Sequence, residues 1–200
     1  ISAVAQVGLA LLLDPRLLIV LGLAWTYLAL MSVEFFCREW LKARPVVYLV
    51  SHMGIMPLVD FFATSCEWMP AHGRPPAGLG WFLAASFFNG IVIELGRKLR
   101  QPIDEEEGVE TYSRLWGKGL ASGIWLLAMA ATFGSAMVAA DAIGAKLWLS
   151  IGLGLTGGLS VYLARRFTVG QMSGKRLELV SALWTLMLYL LLGLLPRWIA

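Results

Sequence analysis

The chain holds 200 residues, of which 58% are hydrophobic and 14% charged, with a net charge of +3 and a mean hydropathy of +0.73. A soluble domain is about 45–50% apolar and about 25% charged, so this composition excludes a water-soluble globule. Lipid solvates outward-facing apolar side chains, and the fold class expected is all-α: one polytopic transmembrane helix bundle over residues 1–200.

A helix crosses a hydrocarbon core of about 30 Å with about 20 apolar residues. Apolar segments at 1–13, 16–36, 46–68, 79–96, 117–140, 145–163 and 177–195 predict about seven such helices. The first starts inside an apolar run, Ile1 to Ala5, with no initiator methionine and no basic n-region. No cleavable signal peptide is read there, and the chain is expected to be a portion of a longer one. Asp14-Pro15 separates the first two segments, Arg44-Pro45 opens the third, and Pro70, Pro75 and Pro76 close it. Residues 164–176, with Arg165, Arg166, Lys175 and Arg176, divide the last two. Small-residue runs at Gly152 to Gly154 and at Gly157-Gly158 fit close helix packing. Cys37 and Cys66 fall near opposite membrane faces and read as free thiols.

Basic residues set the expected orientation. One side receives Arg38, Lys42, Arg44, Arg97, Lys98, Arg100, Arg114, Lys118, Arg165, Arg166, Lys175 and Arg176, and the other only Arg16, Arg74, Lys146 and Arg197. Twelve against four places the loops after the second, fourth and sixth segments in the cytoplasm. The expectation is an integral protein of a bacterial inner (plasma) membrane. Bases spread along one membrane face fit orientation better than nucleic-acid binding, so no nucleic-acid partner is expected.

Polar chemistry gathers where the fourth segment leaves the membrane, from Asn89 to Ser113. Asn89 and Glu94 fall within or at the edge of the apolar stretch, where a polar side chain is costly and usually faces the bundle interior. Glu94 precedes Lys98 by one turn, the favourable order for an ion pair. Asp104, Glu105, Glu106 and Glu107 follow Arg97, Lys98 and Arg100. Such carboxylates suit magnesium, which prefers oxygen ligands and shares them with phosphates, and the bases suit phosphate oxygens. A plainer alternative makes the four acids the first turn of the next helix, where the dipole favours them. A second cluster, Glu34 to Trp40, allows an ion pair between Glu34 and Arg38 and leaves Glu34 deep enough to face a cavity. In the third segment, His52 and Asp60 lie eight residues apart, about 12 Å in helix height. His52 is the one nearer the cytoplasmic end. No Ser–His–Asp triad, zinc pattern or phosphate-binding loop is present.

The stretch from Glu94 to Ser113 resembles the second acidic motif of the UbiA-type intramembrane prenyltransferases, in which acids after a helix precede a glycine and a threonine, here Asp104 to Glu107, Gly108 and Thr111. Four features carry over as what the resemblance implies. The family has nine transmembrane helices with acidic motifs after the second and sixth, so these seven segments would be helices three to nine, the first two lying upstream. The reaction would transfer an isoprenoid chain from its diphosphate to a lipophilic, often aromatic, acceptor with Mg2+ assistance. Asp104, Glu105 and Glu94 would bind or support the metal, with Arg97, Lys98 and Arg100 near the diphosphate. Asn89, Glu34, Arg38 and His52 would line the substrate cavity. The motif departs from the family in having one aspartate followed by three glutamates, and the first acidic motif lies outside these residues. Two other classes remain open from the sequence: a transporter or permease using Glu34, His52, Asp60 and Glu94 as an ion path, and a non-catalytic membrane scaffold of the same fold.

Overall fold

The computed structural model describes residues 2–194, and among them every regular element is helical. The helices are α1 (Ser2–Leu13), α2 (Leu17–Ser32), α3 (Arg38–Lys42), α4 (Pro45–Met53), α5 (Ile55–His72), α6 (Leu79–Arg97), α7 (Tyr112–Asp141), α8 (Lys146–Thr168) and α9 (Lys175–Tyr189). A π turn, Leu190–Leu194, extends α9. Among the described residues, five helical stretches are long and apolar enough to cross a membrane: Pro45–His72, Leu79–Arg97, Tyr112–Asp141, Lys146–Thr168 and Lys175–Leu194. α1 and α2 are apolar but shorter; the 16 residues of α2 rise about 24 Å, less than a full hydrocarbon core. Leu12, Ile19, Leu127, Leu155 and Leu179 stand exposed along these helices. Apolar surface on that scale is unstable against water and comfortable against lipid, so the helices suit an integral membrane protein.

Local chemistry explains where the helices break. α2 stops at Ser32, four residues short of the end of the segment expected from hydropathy, because Glu34, Phe35 and Phe36 all take left-handed backbone angles. α4 and α5 form one long stretch interrupted at Gly54. Pro57 there has no N–H to donate to the Met53 carbonyl. Gly54 also admits the Tyr27 hydroxyl, which donates to the Ser51 carbonyl and would overlap any Cβ at that position. α7 begins at Tyr112, earlier than expected, and bends at Gly117, whose φ of 76° suits glycine alone. Both cysteines are free.

The chain divides after Phe87 into two compact units. In the N-terminal unit α2 packs between α1 and α5. The turn joining α1 to α2 is clasped by Arg16, which donates to the Asp14 carboxylate and to the Met69 carbonyl at the end of α5. Hydrogen bonds from the Arg16 side chain, then from its backbone N–H, hold the Asp14 carboxyl below the usual carboxylate range. A depressed carboxyl pKa contributes stability that is present above the ordinary range and lost as pH falls through the depressed value. The clasp therefore persists at neutral pH and loosens only in acid.

In the C-terminal unit α8 packs against both α7 and α9, around the buried side chains of Trp125, Leu153, Phe167, Leu177 and Trp184. Trp125 Nε1 donates to Ser181 Oγ at 3.0 Å, and Ser181 Oγ donates to the Leu177 carbonyl at 2.8 Å. Both side chains close over Gly96 near the end of α6, where a Cβ would meet Ser181 Oγ at 2.1 Å and Trp125 Nε1 at 3.3 Å. Tight packing rather than polar attraction holds helices together in lipid, where an interhelical hydrogen bond averages about 0.6 kcal/mol. Gly96→Leu is therefore expected to cost about 1–3 kcal/mol through overpacking, and Ser181→Ala about 0.6 kcal/mol. Thermal unfolding in detergent, followed by tryptophan fluorescence, checks this; equal losses from the two variants would refute the packing account.

Candidate anion site at the end of α6

The last turn of α6 carries Glu94, Arg97 and Lys98 at spacings that meet on one helix face. Glu94 accepts from both bases, from Arg97 through Oε2 and from Lys98 through Oε1 at 2.9 Å. The pairing expected from spacing is present, and Arg97 joins it. Lys98 also sits 5.6 Å from the centre of the Tyr112 ring. Arg97 is largely solvent-facing, whereas Glu94 is mostly covered, so the carboxylate is the buried member of the trio.

Pro102 then fixes the exit path. A residue before proline avoids helical angles, and Gln101 is extended at φ −76° and ψ 155°. A 3₁₀ turn spans Pro102–Asp104, and Gly108 turns the chain back at a φ of 80°. The loop closes where Tyr112 N–H donates to the Lys98 carbonyl. Thr111 caps α7 by accepting from Arg114 N–H, and its hydroxyl donates to the Glu105 carboxylate at 2.6 Å. The acids thus belong to the loop and not to the first turn of α7, which carries none. That removes the plainer alternative for Asp104 to Glu107.

Arg97, Lys98, Arg100, Asp104, Glu106, Val109 and Thr111 line a pocket of about 220 Å³. Three cationic groups converge there, each with a carboxylate within reach of replacement: Glu94 for Arg97 and Lys98, and Glu178 on α9 for Arg100 at 3.2 Å. Such a site binds an anion by exchanging one carboxylate partner for another oxyanion, so binding is a competition and not a simple capture. Among the described residues no three His, Cys, Asp or Glu side chains are grouped as a metal cage. Asp104 and Glu106 are the acids facing the pocket. Glu105 is held by Thr111 and Glu94 by its two bases.

The loop is held from the far side by residues that spacing alone did not single out. Gln101 is 8% exposed, and its Nε2 donates to the carbonyls of Phe167 and Met172, each at 2.8 Å. Its Oε1 accepts from Lys118 Nζ at 3.1 Å. Ser173 Oγ donates to Asp104 Oδ2 at 3.2 Å, and Ser113 Oγ accepts from Arg100 N–H at 2.9 Å. Gly174 lies so close to the backbone just after α6 that a Cβ there would overlap the Leu99 carbonyl oxygen. The α8–α9 turn is therefore the mould for this loop.

The remaining expected residues fall elsewhere. Asn89 is fully buried, accepts from Thr185 Oγ1 at 3.1 Å, and leaves its Nδ2 without a partner among the described residues. It does not line the pocket. In the N-terminal unit Glu34 pairs with His52, Nε2 to Oε2 at 3.2 Å, and not with Arg38. The left-handed turn breaks the helix between Glu34 and Arg38, so the one-turn geometry assumed from spacing does not exist. Arg38 is exposed and makes no ion pair among the described residues.

No family model, curated protein or solved structure matches the chain.

Gln101→Leu removes all three hydrogen bonds and takes this partner from the Met172 carbonyl and from Lys118, an expected loss of about 1–3 kcal/mol. Hydrogen exchange at amides 168–174 should accelerate in this variant while α7 amides beyond Gly117 keep their protection. Unchanged exchange in the turn would show that Gln101 does not hold it.

Proposed function

We propose that the chain is the seven-helix portion of a UbiA-type intramembrane prenyltransferase, and that the pocket at the end of α6 receives the diphosphate of an isoprenoid substrate. The observation that carries this reading is the convergence of Arg97, Lys98 and Arg100 on one pocket where an apolar helix ends. An isoprenoid diphosphate needs that combination: cations for its head and an apolar helical surface for its tail. On this reading the loop after α6 is cytoplasmic, as the distribution of bases along the sequence implies, and α1 and α2 complete the seven crossings.

The work of this chain's residues follows from the pairs already made. An entering diphosphate displaces Glu94 from Arg97 and Lys98 and Glu178 from Arg100, so the cations are preorganised before the substrate arrives. They then meet the charge that grows on the departing diphosphate as the allylic carbon–oxygen bond breaks, where fixed donors act most strongly. Asp104 and Glu106 are the residues that would hold magnesium, because the ion commonly takes one or two carboxylates and completes its shell with phosphate oxygens and water. Bound there, it would supply further neutralisation of the diphosphate. The acceptor is lipophilic and enters from the membrane. A permease is the second reading, favoured by the Glu34–His52 pair within an apolar helical unit.

Full-length protein in lipid vesicles should release diphosphate from an allylic isoprenoid diphosphate in a magnesium-dependent manner. Arg97→Ala and Asp104→Asn should each slow release by about 10²-fold or more, the scale for losing one preorganised charge-stabilising group. Folded protein that releases nothing from donors of several lengths, yet moves a solute across the bilayer, would establish the permease reading instead.

A further inference from the structure

A groove of about 240 Å³ lies between α7 and α8 in the C-terminal unit, with Trp184 of α9 among its lining. Its walls are apolar, with Ala130 and Phe133 from α7 and Val161 from α8. Gly154 and Gly157 leave it deep. A Cβ at Gly154 would meet nothing within 4 Å, and one at Gly157 only the Trp184 ring at 3.5 Å. Gly154, Gly157 and Val161 recur at helical spacing on one face of α8, and Arg165 continues that face one turn further. Gly154 and Arg165 stand about 16 Å apart along the helix axis. One leaflet of a hydrocarbon core about 30 Å thick has nearly that depth, so the face runs the length of a lipid acyl chain.

The end of this face is strongly positive. Arg165 and Arg166 fall in the last turn of α8, and Lys175 and Arg176 open α9. All four are exposed, and none meets a carboxylate among the described residues. The bases at the end of α6 differ, since Arg97, Lys98 and Arg100 are each paired. The carbonyl end of α8 offers only about half a unit of negative charge, too little to balance four bases. Arg166 Nη1 donates to the Tyr162 hydroxyl at 3.2 Å, and its guanidinium lies 5.9 Å from the centre of that ring. Tyrosine and arginine so placed suit the boundary between lipid and water. Bases clustered where a membrane helix meets water attract anionic lipid headgroups.

We propose that the α7–α8 groove and the bases at its end form a binding site for one anionic phospholipid of the surrounding bilayer. An acyl chain lies over Gly154 and Gly157 between Phe133 and Val161, and the phosphate meets Arg165 and Arg166. The groove selects for shape and the bases for charge. A zwitterionic lipid, whose headgroup carries its own cation, gains the first and little of the second. The site shares no residue with the pocket at the end of α6 and is independent of the diphosphate reading.

Full-length protein in phosphatidylcholine nanodiscs, doped with a phospholipid carrying a diazirine in its acyl chain, tests this. The probe's headgroup is either phosphatidylglycerol or phosphatidylcholine, and labelled peptides are mapped by mass spectrometry. The anionic probe should label residues 126–133 and 153–161 about tenfold more than the neutral one, the scale for two cationic contacts. The double variant Arg165→Gln/Arg166→Gln should lose most of that preference. Gly154→Leu, whose side chain enters open space, should lower the label while thermal unfolding stays unchanged. Equal labelling by the two probes would overturn the proposal, as would a preference that survives the double variant or label undiminished in Gly154→Leu. A groove free of label across which two copies of the chain cross-link would give it to a second protomer and overturn the proposal as well. Should the double variant fail to fold, the two headgroups in the wild type decide.

Discussion

A carboxamide buried in an apolar interior must satisfy a donor end and an acceptor end at once, and Gln101 does so on two different segments. Its nitrogen serves the carbonyls at the end of α8 and in the turn before α9, and its oxygen receives Lys118 from α7. The first of these also accepts from the Gly170 N–H, so the helix end and the side chain share it. One side chain therefore ties the segment after α6 to the α8–α9 turn and to α7. The placement of Arg100 and Asp104 on either side of Gln101 follows from it, and with them the shape of the pocket. Gly174 makes the same junction possible sterically, because any larger residue would separate the turn from Leu99.

Each base of the site built on that junction already has a carboxylate partner. Glu94 is shared by two bases and Glu178 neutralises a third. An unpaired cluster of cations at the end of a membrane helix would repel itself; a paired one is stable and still exchangeable. On the proposed reading, an entering anion would have to offer more than one oxyanion to displace Glu94 and Glu178 together. A diphosphate would meet that requirement and a single carboxylate would not.

The positions of the apolar helices were legible in the sequence because hydropathy and proline breaks report directly on lipid exposure and on lost hydrogen bonds. The Glu94–Lys98 pair was legible as well, since helical spacing alone brings those residues together. The early end of α2 was not: residues 34–36 hold left-handed angles without a glycine or proline to announce them, and the misplaced helix end led to the expected pairing of Glu34 with Arg38. The motif singled out Thr111 but not its role as the cap of α7, and the acids before it lie in the loop instead of the helix. Gln101 was invisible because its partners are backbone carbonyls 66 and 71 residues away, and a backbone carbonyl leaves no trace in side-chain patterns.

The central claim is that the loop after α6 holds the diphosphate end of an isoprenoid substrate. Labelling the full-length protein in lipid with an isoprenoid diphosphate carrying a photoreactive group beside its diphosphate tests this most directly. The account predicts covalent label within residues 97–111, suppressed by excess inorganic diphosphate and sharply reduced in Arg100→Ala. Label confined to other helices, or label in this loop that ignores inorganic diphosphate, would contradict it.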